Sequence, residues 1–364
     1  MKILLLTPSL ASWTKQEIAI LEELGHTVHC LYAFEYGITK LSPHTSIRTI
    51  NAIRGNILLF LKAIPLYSKF DLIYCWWVFS TGLLPTILGK LLKKPVLLNA
   101  VGGDVACVSS INYGAPLRWY SRPLIVWILR NANKVISVSK DCANWTKKWG
   151  AKDVTVVYEG IDTNKFRQPQ EKRAQAKKEK HGSLLLTVSP LEETDVIRKD
   201  FASLLIALRE VTKTIPNAKL IIVGRKGSGY PIVRQIIKDL KIEDHVIFTG
   251  LIPASKLIDL YNECDIFVLP SLHEGFPTVC AEAQASGKPV ISTNTGSIRE
   301  VIKNDQTGIL VNPNDSEALA KAITKLLSNS KLRHQFGESG RKRIVRLFSK
   351  EVRKKRMQQL ISTL

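Results

Sequence analysis

The chain alternates short apolar runs with stretches of helical periodicity, and it does so twice, on either side of a charged segment with almost no large apolar residue. Strands of a parallel sheet are covered by helices on both faces, so they read as continuous apolar runs, and each needs a crossover of a dozen or more residues to reach its parallel neighbour. In the first series, residues 1–6 read as such a strand. A helix follows with Ile18, Leu21 and Leu24 on one face, Gly25-His26 stops it, and residues 27–32 read as the next strand. Further strands are predicted near 71–77, 95–101 and 134–138. After Asp162 the texture changes: residues 163–182 hold one large apolar residue, Phe166, among many charges, which is a linker signature. The second series opens at 183–188 and continues with strands near 219–223, 245–248, 265–269 and 289–292.

A chain of 364 residues is too long for one ordinary core and comfortable for two domains. The expected fold is α/β, with two doubly wound, Rossmann-like domains. Their expected bounds are residues 1–165 and 183–340, with a charged linker over 166–182 and a basic C-terminal helix over 341–364. Open parallel sheets bind ligands at the carboxyl ends of their strands. Two such sheets facing each other across a cleft would offer a site for two substrates.

Composition narrows the class. A hydrophobic fraction of 45% excludes a disordered chain. The six cysteines, Cys30, Cys75, Cys107, Cys142, Cys264 and Cys280, form no CxxC pair and sit beside no His pair at zinc spacing, so they read as inert thiols of a reducing compartment. No signal peptide is expected, because the apolar run after Lys2 is short and ends in Thr-Pro-Ser. The uncharged stretch between Asp71 and Lys90 is interrupted by Ser80, Thr81, Gly82, Pro85 and Gly89, and is expected to be a strand and a short helix, not a membrane span. The expected location is cytoplasmic.

The net charge of +21 is uneven. Residues 1–150 carry 17 Lys/Arg against 7 Asp/Glu, together with all seven tryptophans: Trp13, Trp76, Trp77, Trp119, Trp127, Trp145 and Trp149. Basic charge alone is shared by partners of nucleic acid, anionic membrane and anionic substrate. Indole rings combined with cations lean towards a membrane interface, against an equal reading of buried Trp and solvated Lys.

The chemistry concentrates in residues 267–283. A hydrophobic strand ends at Pro270, Gly275 lets backbone approach a ligand, and Phe276-Pro277 leads into a helix near Thr278. Free N–H groups at a helix start, with the positive end of its dipole, suit a phosphate or pyrophosphate. Glu274 lies just before that start and Glu282 a turn into the helix. Carboxylates on each flank of a phosphate cradle suit a sugar nucleotide, one holding the sugar and the other the ribose.

The segment resembles the Glu-x7-Glu signature of the retaining glycosyltransferases of family 4, which have the GT-B fold of two facing Rossmann-like domains. The lead-in from Tyr261 to Ser271 is similar to the family's, as is the continuation Gly287-Lys288-Pro289-Val290-Ile291 with Gly296, Glu300 and Thr307-Gly308. Val135 to Ser139, and Gly160-Ile161-Asp162 with Phe166, are similar to the end of its first domain. The resemblance implies transfer of a sugar from a UDP-, GDP- or ADP-sugar to an acceptor hydroxyl with retention, in glycan, polysaccharide or glycolipid synthesis. It implies a same-face route in which the leaving phosphate helps to deprotonate the acceptor. No further cofactor and no metal are expected.

The chain departs from the family where a pyrophosphate-binding Arg usually follows a Gly, with a Lys a few residues on: here the sequence is Val188-Ser189-Pro190-Leu191. Arg198-Lys199, after a loop over 192–197, takes that place, with Lys199 assigned first and Arg198 second to the leaving diphosphate. Residues 8–15 (PSLASWTK) replace the usual first-loop glycine pair, and Val101 stands where many members carry His. In the first domain Gly102-Gly103 suggests close backbone approach to an acceptor, and Asp104 is the remaining carboxylate for acceptor or sugar, or a turn residue capping the next helix.

Three other classes stay open on sequence alone. A phosphorylase or epimerase shares the architecture, since fold does not fix function. A nucleotide-sugar-binding relative without transfer would tolerate the missing Arg and glycine pair. A nucleic-acid binder would use the charge, but no zinc-finger spacing, RNP-like strand or recognition helix accompanies it. A lipid-linked acceptor and contact with anionic membrane are expected partners, and nucleic acid is not.

Overall fold

The computed structural model describes residues 1–10, 12–32, 64–166 and 183–364. The chain forms two compact units, Met1–Tyr158 with Arg353–Leu364, and Glu159–Val352. This division differs from the expected bounds. Residues 159–165 belong to the second unit, and Arg341 falls inside helix Ser330–Phe348 instead of opening a separate tail. The expected linker lies outside the described residues except for Phe166, whose ring meets Tyr261 edge-on at 5.8 Å within the second unit.

The first unit contains a six-stranded parallel sheet in the order β2-β1-β3-β4-β5-β6. The strands are β1 Lys2–Thr7, β2 Thr27–Tyr32, β3 Leu72–Trp76, β4 Val96–Ala100, β5 Lys134–Ser137 and β6 Val154–Val156. Every residue of the central β3 and β4 is buried, which is why both read as unbroken apolar runs. Helix α1, Ser12–Glu23, lays Ile20 and Leu21 on this core, joined by Met357, Leu360 and Ile361 of the C-terminal helix Lys350–Ile361. The uncharged stretch is strand β3 followed by helices Val78–Thr81 and Leu83–Leu91. No helix among the described residues is long and apolar enough to cross a membrane. All six cysteines are free thiols, with Cys30 and Cys107 only half-buried.

The second unit has its own six-stranded parallel sheet in the order β12-β11-β10-β7-β8-β9. Its strands are β7 Ser183–Val188, β8 Ala218–Val223, β9 Val246–Gly250, β10 Ile266–Leu269, β11 Val290–Thr293 and β12 Gly308–Val311. Counted within the unit, this is the 3-2-1-4-5-6 order of dinucleotide-binding sheets. Strands β6 and β12 are absent from the sequence reading. Both lie at a sheet edge; β6 has only three residues and β12 opens on a glycine, so neither carries a clear strand signal.

Candidate functional site

In the second unit the chain leaves β7 towards β8 on one side and leaves β10 towards β11 on the other. The two loops diverge at the carboxyl ends of adjacent strands, the place where open α/β sheets take ligands. The segment after β7 carries Arg198 and Lys199, and the segment after β10 carries Glu274. The topology therefore brings together residues 75 positions apart in sequence, and the Leu272 N–H donates to the Arg198 carbonyl at 2.7 Å.

Residues 192–197, expected as loop, are mostly helix: Glu193–Arg198. Glu193 and Asp195 stand in its first turn and Arg198 in its last, each matching the sign of the helix dipole there. Lys199 then sits in a two-residue joint. Asp200 adopts a left-handed conformation at φ 47° and its carboxylate accepts from the Ser203 N–H, which starts helix Phe201–Thr214.

Glu274 is held on both sides. Its Oε1 accepts from the Ser271 hydroxyl at 2.8 Å and its Oε2 meets the Arg198 guanidinium at 2.8 Å, while its carbonyl accepts from the Ser297 hydroxyl at 2.6 Å. Burial pushes the Glu274 carboxyl up, but the Arg198 and Lys199 charges and the Ser271 hydroxyl outweigh it and hold it below the ordinary carboxylate range. Glu274 is an anion at neutral pH.

Arg198 is committed rather than open. It also binds Asp195 at 2.6 Å and the His273 carbonyl at 3.1 Å. Three acceptors thus surround the guanidinium that the sequence assigns second, after Lys199, to the diphosphate. Lys199 is 7% exposed, and among the described residues its ammonium makes no hydrogen bond or ion pair. Burial pushes it below the ordinary lysine range, while the Glu274 charge pulls it back.

Helix Thr278–Ala285 begins after Pro277 with no side chain accepting from its first amides. Gly275 and the buried Phe276 and Pro277 form the approach to that start. Glu282, on the same helix, accepts from the Tyr261 hydroxyl at 2.9 Å. Burial raises its carboxyl to about 7, with Tyr261 and Lys165 opposing. Three supporting residues were given no role from the sequence: Tyr261 and Ser271, which bound the family-like lead-in, and Asp195. A further missed feature is the loop from Gly224 to Gly229, between β8 and helix Tyr230–Leu240. Its glycines have a steric reason: at φ +151°, a Cβ on Gly224 would lie 1.9 Å from the Ser189 carbonyl oxygen. The Gly-x-x-Gly-x-Gly spacing was the available signal.

Glu282 gives a pH prediction. A carboxyl whose folded value is raised holds its proton longer than the unfolded chain does, so its contribution to stability is present at low pH and lost as pH rises through about 7. Buried Asp104 is raised too and acts in the same sense. The melting temperature should therefore fall between pH 5 and 8, and Glu282→Gln should flatten that slope, as read by calorimetry (about 5 to 8 being the window in which such a group titrates). An unchanged slope in the variant would assign it elsewhere.

In the first unit Asp104, expected as a carboxylate for acceptor or sugar or as a capping turn residue, is turned onto backbone amides. It is 3% exposed, and its oxygens accept from the N–H groups of Val78 at 2.8 Å, Val101 at 3.1 Å and Gly102 at 2.8 Å. It ties the loop after β4 to the helix after β3. Gly102 lies at φ 133°, and a Cβ on Gly103 would meet the Tyr113 hydroxyl at 2.7 Å, so local packing accounts for the second glycine. Among the described residues, no three His, Cys, Asp or Glu side chains gather as metal ligands would.

The family model described as glycosyl transferases group 1 matches residues 168–343, and the one described as glycosyltransferase family 4 matches residues 16–165. A GDP-mannose-dependent alpha-(1-6)-phosphatidylinositol monomannoside mannosyltransferase of Mycobacterium tuberculosis is 27% identical over 263 residues, 68% of each chain. Among solved structures, sucrose-phosphate synthase from Thermosynechococcus elongatus superposes with a TM-score of 0.83 at 21% identity, covering 100% of this chain and 98% of that one. Anabaena HepE in complex with UDP-glucose gives 0.78 at 19% identity, covering both chains fully. With both units matched, the chain belongs to the family 4 glycosyltransferases, nucleotide-sugar-dependent enzymes of glycan synthesis built on the GT-B fold.

Proposed function

We propose that the chain transfers a hexose from a nucleoside-diphosphate sugar to an acceptor hydroxyl with retention, in the cytoplasm. The observation that carries the donor side is the buried Lys199 ammonium, unengaged among the described residues beside the Glu274 anion. Such a cation suits a diphosphate that gains charge as the glycosidic bond breaks, and the uncapped start of helix Thr278–Ala285 adds amides of the same sign. Glu274 would take the sugar hydroxyls, and Glu282, whose second oxygen is not used by Tyr261, the ribose. Arg198 keeps Glu274 ionised and aimed. A same-face departure needs no carboxylate nucleophile: the leaving phosphate takes the acceptor proton. Two similar proteins, one GDP-mannose-dependent and one solved with UDP-glucose, support a nucleotide-sugar donor. The free thiols support a reducing compartment. The acceptor in this reading is lipid-linked, in line with the first relative's phosphatidylinositol mannoside.

A thermal-shift panel of UDP-, GDP- and ADP-sugars tests the donor. Ligand at about 100 times its Kd should add about 2.7 kcal/mol, or roughly 5–10 °C for a unit of this size. One nucleotide should give most of the shift. No shift with any of the three would remove the donor assignment, and proton NMR of the anomeric product would decide retention.

A further inference from the structure

The seven tryptophans of the first unit divide sharply. Trp76 is buried and stacks on Trp13 at 4.8 Å, with Trp77 next to them at 6.4 Å from Trp13. The Trp149 indole N–H donates to the Val105 carbonyl at 2.6 Å, and Trp145 stacks beside it under Lys148. Trp119 and Trp127 face solvent instead, Trp119 at 88% exposure and touching only Tyr120 among the described rings.

The two exposed indoles belong to one continuous segment. Arg118 to Tyr120 form the turn that enters helix Ser121–Asn131, whose outward positions include Arg122, Leu124, Trp127 and Arg130. At the far end of this helix Asn131 accepts a hydrogen bond from the Lys90 ammonium, which joins it to the end of helix Leu83–Leu91. There Leu91 is 72% exposed and Leu92 close to half. Trp127, Leu91 and Leu92 stand at or near the two tied helix ends, and Trp119 at the opposite end of helix Ser121–Asn131, so exposed apolar side chains run along this helix without cover from the described residues of this unit.

The charge along this stretch of chain is predominantly positive, although Lys134 is paired with Asp153 at 3.2 Å. Between Asp71 and Asp141 the chain carries eight cations, Lys90, Lys93, Lys94, Arg118, Arg122, Arg130, Lys134 and Lys140. The same stretch has one acid, Asp104, which is buried. We propose that this face docks on an anionic lipid surface, with Trp119 and Trp127 at headgroup level, the leucines against the acyl boundary and the cations on lipid phosphates. A second copy of the chain would bring the same cations against themselves. Nucleic acid would use the cations but leave Leu91, Leu92 and Leu124 facing water. An anionic bilayer satisfies both halves of the face.

Co-sedimentation of the full chain tests this with phosphatidylglycerol-containing vesicles against pure phosphatidylcholine. At low salt the chain should sediment with the former and not the latter, and high salt should release it. The double variant Trp119→Ala/Trp127→Ala should lose at least tenfold in vesicle affinity. Lys93→Glu/Arg118→Glu should lose about fivefold or more per cation. Thermal unfolding and donor-induced stabilisation should be unchanged in both, since no donor-site residue is altered. Failure to sediment at low salt would overturn the proposal. So would variants that sediment like the wild type, or a face whose loss abolishes self-association or duplex binding in place of vesicle binding. The donor panel reads the other unit, so either proposal can fail without the other.

Discussion

Replacement of Lys199 by methionine is expected to lower kcat/KM for sugar transfer by about 10²- to 10³-fold while the melting temperature holds or rises. The catalytic part rests on charge that develops only as the diphosphate departs. Removing one fixed group aimed at such charge costs about 2.7–4 kcal/mol of transition-state stabilisation. The stability part rests on the free protein. There Lys199 is 7% exposed and its ammonium makes no hydrogen bond or ion pair among the described residues, so a methionine of similar length trades a partly desolvated charge for an apolar side chain. Glu274 keeps Arg198 and Ser271 after the change, so no carboxylate is stranded. Arg198→Met supplies the contrast: it strands both Glu274 and Asp195, and activity and stability should fall together. Steady-state kinetics and calorimetry on the two variants separate the roles. If Lys199→Met retained activity, the diphosphate would belong to Arg198. If it lost activity and melted early, Lys199 would be structural.

That contrast marks how far the sequence alone could reach. Five strands of each sheet were legible, and in the most buried ones, such as Leu72–Trp76 and Ile266–Leu269, packing on both faces leaves an unbroken apolar run. The edge strands Val154–Val156 and Gly308–Val311 were not: the first has only three residues, and the second opens on a glycine. Glu274, Glu282 and the helix start at Thr278 were legible because loop, glycine, proline and helix follow one another locally. Commitment of a side chain is not local. Nothing near Asp104 in sequence reveals that the amide of Val78 claims its carboxylate, and nothing near Arg198 reveals Glu274, 76 residues on. The same limit hid Tyr261, which reaches Glu282 across 21 positions. It also left the seven tryptophans undivided, although only Trp119 and Trp127 lie open.

The C-terminal helix offers the largest stability effect. Arg353 is 2% exposed, and its Nε meets Glu17 Oε2 at 2.7 Å, while Glu17 Oε1 accepts from the Tyr74 hydroxyl at 2.8 Å. The Arg353 Nη1 donates to the carbonyls of Val157 at 3.1 Å and Tyr158 at 2.8 Å, just beyond β6, and its guanidinium lies 5.8 Å from the Trp76 ring. These contacts fasten the last helix to the first unit's helix α1 and to the end of β6, 195 to 336 residues earlier in the chain. Arg353→Met should destabilise that unit by about 3–5 kcal/mol, because it leaves Glu17 buried without its countercharge. For a unit of this size the midpoint should drop by roughly 10 °C. Glu17→Leu added to Arg353→Met removes the stranded charge and should recover part of the loss, though not all of it. The two carbonyls beyond β6 and the Tyr74 hydroxyl would still lack their partners. A double-mutant cycle read by calorimetry therefore has a required sign: the double variant must be more stable than Arg353→Met alone. If it were less stable, the ion pair would not be the fastening, and Met357, Leu360 and Ile361 would hold the helix by apolar packing alone.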